Sequence, residues 1–386
     1  MERIRLLVYT LLALVVVNAA LDAVAAWRAA IPLSVPLGSP TAYRNIYLHI
    51  PMAWTSLALF TIAFIAAILY LWRGDEKYDR MVKGFAAVGL IYAAATLVTG
   101  SAWAAESWEG IHIGFSWSWD PRETSVLLLF LAYLAYFVIR GSISDPDRAA
   151  TLSNTYAIAA YAMVPLVFIA PGMAPASLHP SFRTAGQFMR DPHVLPVFVS
   201  KVLVVLAIGV ILGLLASSKG LPRDIVRTTR IVITGFAVYT ILAALLLASP
   251  YYTGSLAYIA KVGVANVTLE KSGQCPPGMV LATGTISNLT IVALSGRQEN
   301  VTFSEPVAAP LRLCVKPGTN ASELRSVFER ALTNHIVVVD KLREGSVVIV
   351  THWSVALSLA LDGVIVAAGY LVAERMAEGN RRSSET

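Results

Sequence analysis

Long apolar runs, each ended by a short cluster of charge, set the pattern of the chain from residue 5 to residue 249. A helix needs ~20 mostly apolar residues to cross a bilayer. Eight stretches meet that length, at roughly 5–26, 45–72, 84–104, 123–139, 150–170, 195–217, 229–249 and 348–372. They predict an all-α polytopic membrane protein with about eight transmembrane helices. Between the seventh and eighth runs the period changes. There, short alternating stretches predict strands at 279–294 with a break near Ser287, at 299–303, at 310–316 and at 335–340, with a helix at about 321–333. The expected organisation is a transmembrane domain over 1–249, an inserted small β-rich domain over 250–347, and a final span and tail over 348–386.

Composition agrees. Hydrophobic residues make up 56% of the chain and charged residues 14%, against about a quarter charged in a soluble domain. The net charge of +6 sits in the loops and forms no nucleic-acid patch. With eight spans, Arg3, Arg5, Arg73, Lys77, Arg80, Lys83, Arg140, Arg148, Lys219, Arg223, Arg227, Arg230, Arg375, Arg381 and Arg382 share one side. The rule that cationic loops stay inside makes that side the cytoplasm. Both termini are then cytoplasmic, in a plasma-membrane protein, and 250–347 is extracytoplasmic. A signal peptide is the rival reading of the first run. Its length and the lack of a clear small-residue cleavage site favour a retained helix.

Four Asn-x-Ser/Thr acceptors, at Asn266, Asn288, Asn300 and Asn320, fall within 250–347 and none elsewhere. They are a second vote for an outer domain, or chance matches in a Thr-rich sheet. The two cysteines, Cys275 and Cys314, lie there too and form no CxxC motif. That argues against zinc, a redox pair or covalent haem. In an oxidising compartment they pair as a disulfide; otherwise they are buried thiols. There is no P-loop lysine motif and no nucleophile–base–acid set, so neither ATP hydrolysis nor another enzymatic step is expected.

The most unusual stretch is the loop over 105–124. Trp108, Phe115, Trp117 and Trp119 lie within twelve residues, interleaved with Gly110 and Gly114 and followed by Asp120, Pro121 and Arg122. An interfacial aromatic belt explains the tryptophans alone. It does not explain the glycines or Asp-Pro-Arg. Aromatics among glycines make a flat apolar shelf suited to a large planar ligand. His49 opens the second span before Pro51, and His179 lies in the next outer loop after the aromatic one. Two neutral imidazoles above and below a macrocycle are the expected axial ligands of a haem iron. Arg122 and Arg183 are on the correct side to meet its propionates. A histidine at a span end is more often simply an interfacial polar residue.

Gly114 to Thr124 resembles the tryptophan-rich "WWD" signature of the haem-handling proteins of cytochrome c biogenesis, the CcmC, CcmF and CcsA types. Tyr47 to Trp54 resembles the CcmC segment with the first external histidine, and Pro165 to Phe168 through Ser177 to His179 the segment with the second. The resemblance covers about residues 1–250. It implies axial ligation of haem b by His49 and His179, with packing by Trp108, Phe115, Trp117, Trp119 and Asp120. It departs at Ile113, where CcmC has Trp, and in a Ser-Trp-Asp-Pro-Arg-Glu-Thr wording that leans towards CcsA. The 250–347 domain and the eighth span also fall outside the six-span CcmC pattern. His352, beside Trp353, is therefore a rival ligand, as are His112 and His193. The function implied is haem delivery for cytochrome c maturation, to a membrane-anchored chaperone with ABC-transporter-type subunits, or to the apocytochrome itself. A b-type electron-transfer cytochrome and a cofactor-free permease are the alternatives.

Overall fold

The computed structural model describes residues 1–29, 41–107, 114–173, 177, 179, 192–249, 256–270, 278–293, 296–333, 336–338 and 353–385. Among them, eight helices are long and apolar enough to cross a membrane, from Glu2–Arg28 to Trp353–Ser383. The chain is a multi-pass membrane protein with a small antiparallel sheet domain inserted before its last span. Helix α1 (Glu2–Ala23) closes in a π-turn, and a mostly buried 3-10 segment, Thr41–Tyr47, leads into α2 (His49–Arg73). Then come α3 (Glu76–Ser107), α4 (Pro121–Gly141), and α5 (Pro146–Ala160) with α6 (Met163–Met173), which share one span. α7 (Leu195–Ala216) and α8 (Arg223–Ala248) precede the sheet, and the last span is Trp353–Ser383.

Small residues let these helices close up. A Cβ on Gly89 of α3 would stand 2.8 Å from the Phe60 ring of α2, so that ring fills the space a side chain would need. The apolar core joins α1 through α8 and the last span. Two polar clusters interrupt it. Lys201 Nζ on α7 donates to Asp22 at 2.5 Å, Asn18 at 2.7 Å and Asp362 at 2.9 Å, tying α1, α7 and the last span. Arg140 on α4 grips both oxygens of Asp79 on α3 at 2.6 and 2.7 Å, and Asn154 of α5 joins at 2.8 Å. Arg140, one of the cations expected on the cytoplasmic side, is thus also a structural partner.

The inserted domain has the strand order β3-β2-β1-β4, with every pair antiparallel. Its elements are β1 (Leu256–Glu270), β2 (Val280–Ala293), β3 (Gln298–Val315), α9 (Ala321–Leu332) and β4 (Ile336–Val338); the last span is then α10. Leu324, Phe328 and Leu332 of α9 pack on the sheet in a core drawn wholly from this domain. The break expected near Ser287 is a register shift in β2. The expected strands at 299–303 and 310–316 are one edge strand, β3, carrying Pro306 and Pro310. An edge tolerates proline because one side of its backbone has no neighbour to bond. β1 was not expected. Three register shifts interrupt its pairing with β2, and bulges erase the period of two by which a strand is read. Cys314 is disulfide-bonded, and Cys275 lies outside the described residues.

Candidate functional site

The candidate site lies at the end of the bundle where α2, α4 and α10 begin and α3 finishes. His49 occupies the first turn of α2 and lies against α3, where a Cβ on Gly100 would come within 3.1 Å of its ring. Its Nδ1 is 2.7 Å from Thr99 Oγ1. When the Thr99 hydroxyl donates to the Ala95 carbonyl, at 2.8 Å, it accepts from a proton on His49 Nδ1, and Nε2 then carries the lone pair. Trp103, one turn on along α3, meets the His49 ring edge-on at 5.6 Å.

Asp120 caps α4. Its carboxylate accepts the Arg122 amide at 2.9 Å, with Pro121 in the first turn, the preferred chemistry for a helix start. The same carboxylate is 2.6 Å from His179 Nδ1 and accepts from Ser177 Oγ at 2.8 Å. Burial works to raise the Asp120 carboxyl. The bonds from His179, the Arg122 amide and Ser177 outweigh it and hold the group well below the usual carboxylate range. An ionised carboxylate at Nδ1 selects the Nδ1–H tautomer of His179, again with the lone pair on Nε2. His49 lies within electrostatic reach of both His179 and Arg122. The fold thus brings together the two histidines that the sequence picks out and one of its two arginines.

Above them runs the aromatic loop. Ser116 N donates to the Ser101 carbonyl at 3.0 Å. Ser118 donates through its amide and hydroxyl to Glu123 at 3.2 and 2.9 Å, latching the Trp-Ser-Trp turn onto α4. Trp117 and Trp119 meet edge-on at 6.0 Å. Phe115 is 57% exposed and Trp119 70%. Trp119 also has φ +57°, a conformation that costs a bulky residue about 1–3 kcal/mol and that clusters at functional sites. Asp120, expected among the packing residues, sits beneath this face as the partner of His179.

Trp108, His112, Arg183 and His352 lie outside the described residues, and His193 is exposed in the turn before α7. The sequence reading missed Thr99, Trp103, Ser177 and Glu123. Thr99 and Trp103 carry a signal in hindsight, since they lie one helical turn apart on either side of Gly100. Ser177 carries none.

Residues 4–173 match the model of the family described as cytochrome C assembly protein. Heme exporter protein C of Rhodobacter capsulatus is 32% identical over 123 residues, 32% of this chain and 48% of that protein. Its Escherichia coli K12 counterpart is 29% identical over 126 residues, 33% of this chain and 49% of that one. A putative cytochrome c biosynthesis ccmC-like mitochondrial protein of Marchantia polymorpha is 31% identical over 125 residues, 32% of this chain and 45% of its own length. The chain spans about half the length of the curated relatives it matches.

Proposed function

From the match of residues 4–173 to the cytochrome C assembly protein model and the likeness to heme exporter protein C, we infer that this chain binds haem at the outer membrane face and hands it on for cytochrome c maturation. One observation carries the reading. His49 and His179 lie within electrostatic reach, each is held through Nδ1, which leaves Nε2 for ligation, and the Asp120 that holds His179 follows directly on exposed Trp119. Haem fits these residues as cargo. The iron takes two imidazoles, the macrocycle lies on Phe115, Trp117 and Trp119, and Arg122 serves a propionate. Arg183 and Trp108 are proposed for the same roles on the strength of the resemblance.

The chain makes and breaks no covalent bond in this scheme. It orients the histidines, shields part of the cargo and leaves an edge open for an acceptor. The open edge matters, because two imidazoles and full apolar burial would hold haem too tightly to transfer. A membrane-anchored chaperone and ABC-transporter-type subunits are the proposed partners. The loops rich in Lys and Arg, with both termini, face the cytoplasm, and residues 250–347 face outward. The deciding measurement is the absorbance of protein purified from haem-replete cells. Wild type should show the Soret band and low-spin spectrum of bis-imidazole haem, and His49→Ala and His179→Ala should each lose the low-spin form. A colourless wild type would end the reading in favour of a cofactor-free carrier.

A further inference from the structure

We propose that the first turn of α10 is a built part of the haem face, with Trp353 as the residue that positions the aromatic loop and sets how long the cargo is held. The proposal rests on the haem reading above. It concerns a span that lies outside residues 4–173, so nothing in the family match assigns it.

The contacts run to three separate parts of the site. Trp353 Nε1 donates to the Gly114 carbonyl at 3.2 Å, and its ring meets exposed Phe115 edge-on at 6.5 Å. Glu106, fully buried near the end of α3, accepts the Ser354 hydroxyl at 2.5 Å and the Ser354 amide at 3.3 Å. The Glu106 side chain of α3 therefore caps α10 by accepting the amide and the hydroxyl of its first turn. Asn45, four residues before His49, donates to Ser354 Oγ at 2.7 Å and accepts from Ser358 Oγ at 2.7 Å.

One helical turn thus joins the His49 segment, the end of α3 that carries Trp103, and the aromatic loop. Crossing a membrane needs none of this. A buried Glu and a buried Asn are expensive unless fully bonded, and apolar packing would hold a plain span at lower cost. Such a network instead fixes one arrangement of its members. What it fixes here is the distance between the ligand on α2 and the shelf over it. Removing the indole frees the Gly114 carbonyl and the Phe115 edge together. The face should then lose its grip on the macrocycle while both imidazoles stay in place.

The experiment uses the full chain loaded with haem in detergent and apomyoglobin as scavenger. Trp353→Ala should release haem ~3–10-fold faster, the scale of one aromatic contact, with the low-spin spectrum intact. Trp353→Phe keeps the ring contact and loses the donor, so its rate should fall between. Equal release from wild type and Trp353→Ala overturns the proposal. So does loss of the low-spin spectrum in Trp353→Phe, since the residue would then act on the ligands and not on the face. A wild type with no Soret band would instead overturn the haem reading itself, and this proposal with it.

Discussion

At the residue scale, the decisive groups are those that aim the histidines. His49 and His179 stand out in the sequence as lone imidazoles at span mouths beside a tryptophan-rich loop. Their supports do not, because the Asp120 partner of His179 lies 59 residues away and also has a local task as helix cap. These two tasks separate in Asp120→Asn. Asparagine caps about as well as aspartate, so the helix start should survive and the thermal midpoint should fall only by what the charge adds to the His179 and Ser177 bonds. It removes the charge that makes His179 a strong donor, and haem affinity in a titration should fall about 10–100-fold. An unchanged affinity would mean that His179 is not a ligand. The pH response has a definite sign. A carboxyl held low in the folded state contributes above its ordinary value of about 3.9 and fades only as pH falls through the lower folded one. The Asp120 carboxylate should therefore stay charged throughout pH 7 to 5, and thermal midpoints measured across that window should show no loss that Asp120→Asn removes.

At the element scale, the spans were legible because twenty apolar residues in a row have few alternatives. What binds the spans to one another was less so, although its signal was present. Lys201 stands alone within an apolar run, and Asn18, Asp22 and Asp362 stand within others. Ionisable residues at such depth are kept for a partner, and which partner is a tertiary fact that no local window contains. The cluster makes a strong demand on α10, whose Asp362 receives both Lys201 and Asn18. Lys201→Met leaves two carboxylates buried without their cation and should cost about 3–5 kcal/mol. Thermal unfolding followed by size-exclusion in detergent should show a large fall in midpoint. The triple variant Lys201→Met, Asp22→Asn, Asp362→Asn should regain most of it. A single variant as stable as wild type would show that water reaches the cluster.

At the scale of the whole molecule, the arrangement of parts bears on what an extra domain would do beside the proposed haem site. The sheet domain is inserted between α8 and α10, so both its connections open at the end of the bundle that holds His49 and the aromatic loop. Its core is its own, from Ala257 to Val337, and all four candidate glycosylation asparagines are exposed on it. An independent core at that end can act on the acceptor rather than on the site. Its removal should then leave binding alone and impair handover. Replacing 256–338 by a short flexible linker, with α10 kept, should preserve the Soret band and low-spin spectrum while cytochrome c maturation in cells falls severalfold. Trp353→Ala should give the opposite pattern in release, with the domain intact. Full maturation by the shortened chain would make the domain a cover with no part in transfer. A colourless shortened chain would instead place it within the site, through the end of α10 that follows it.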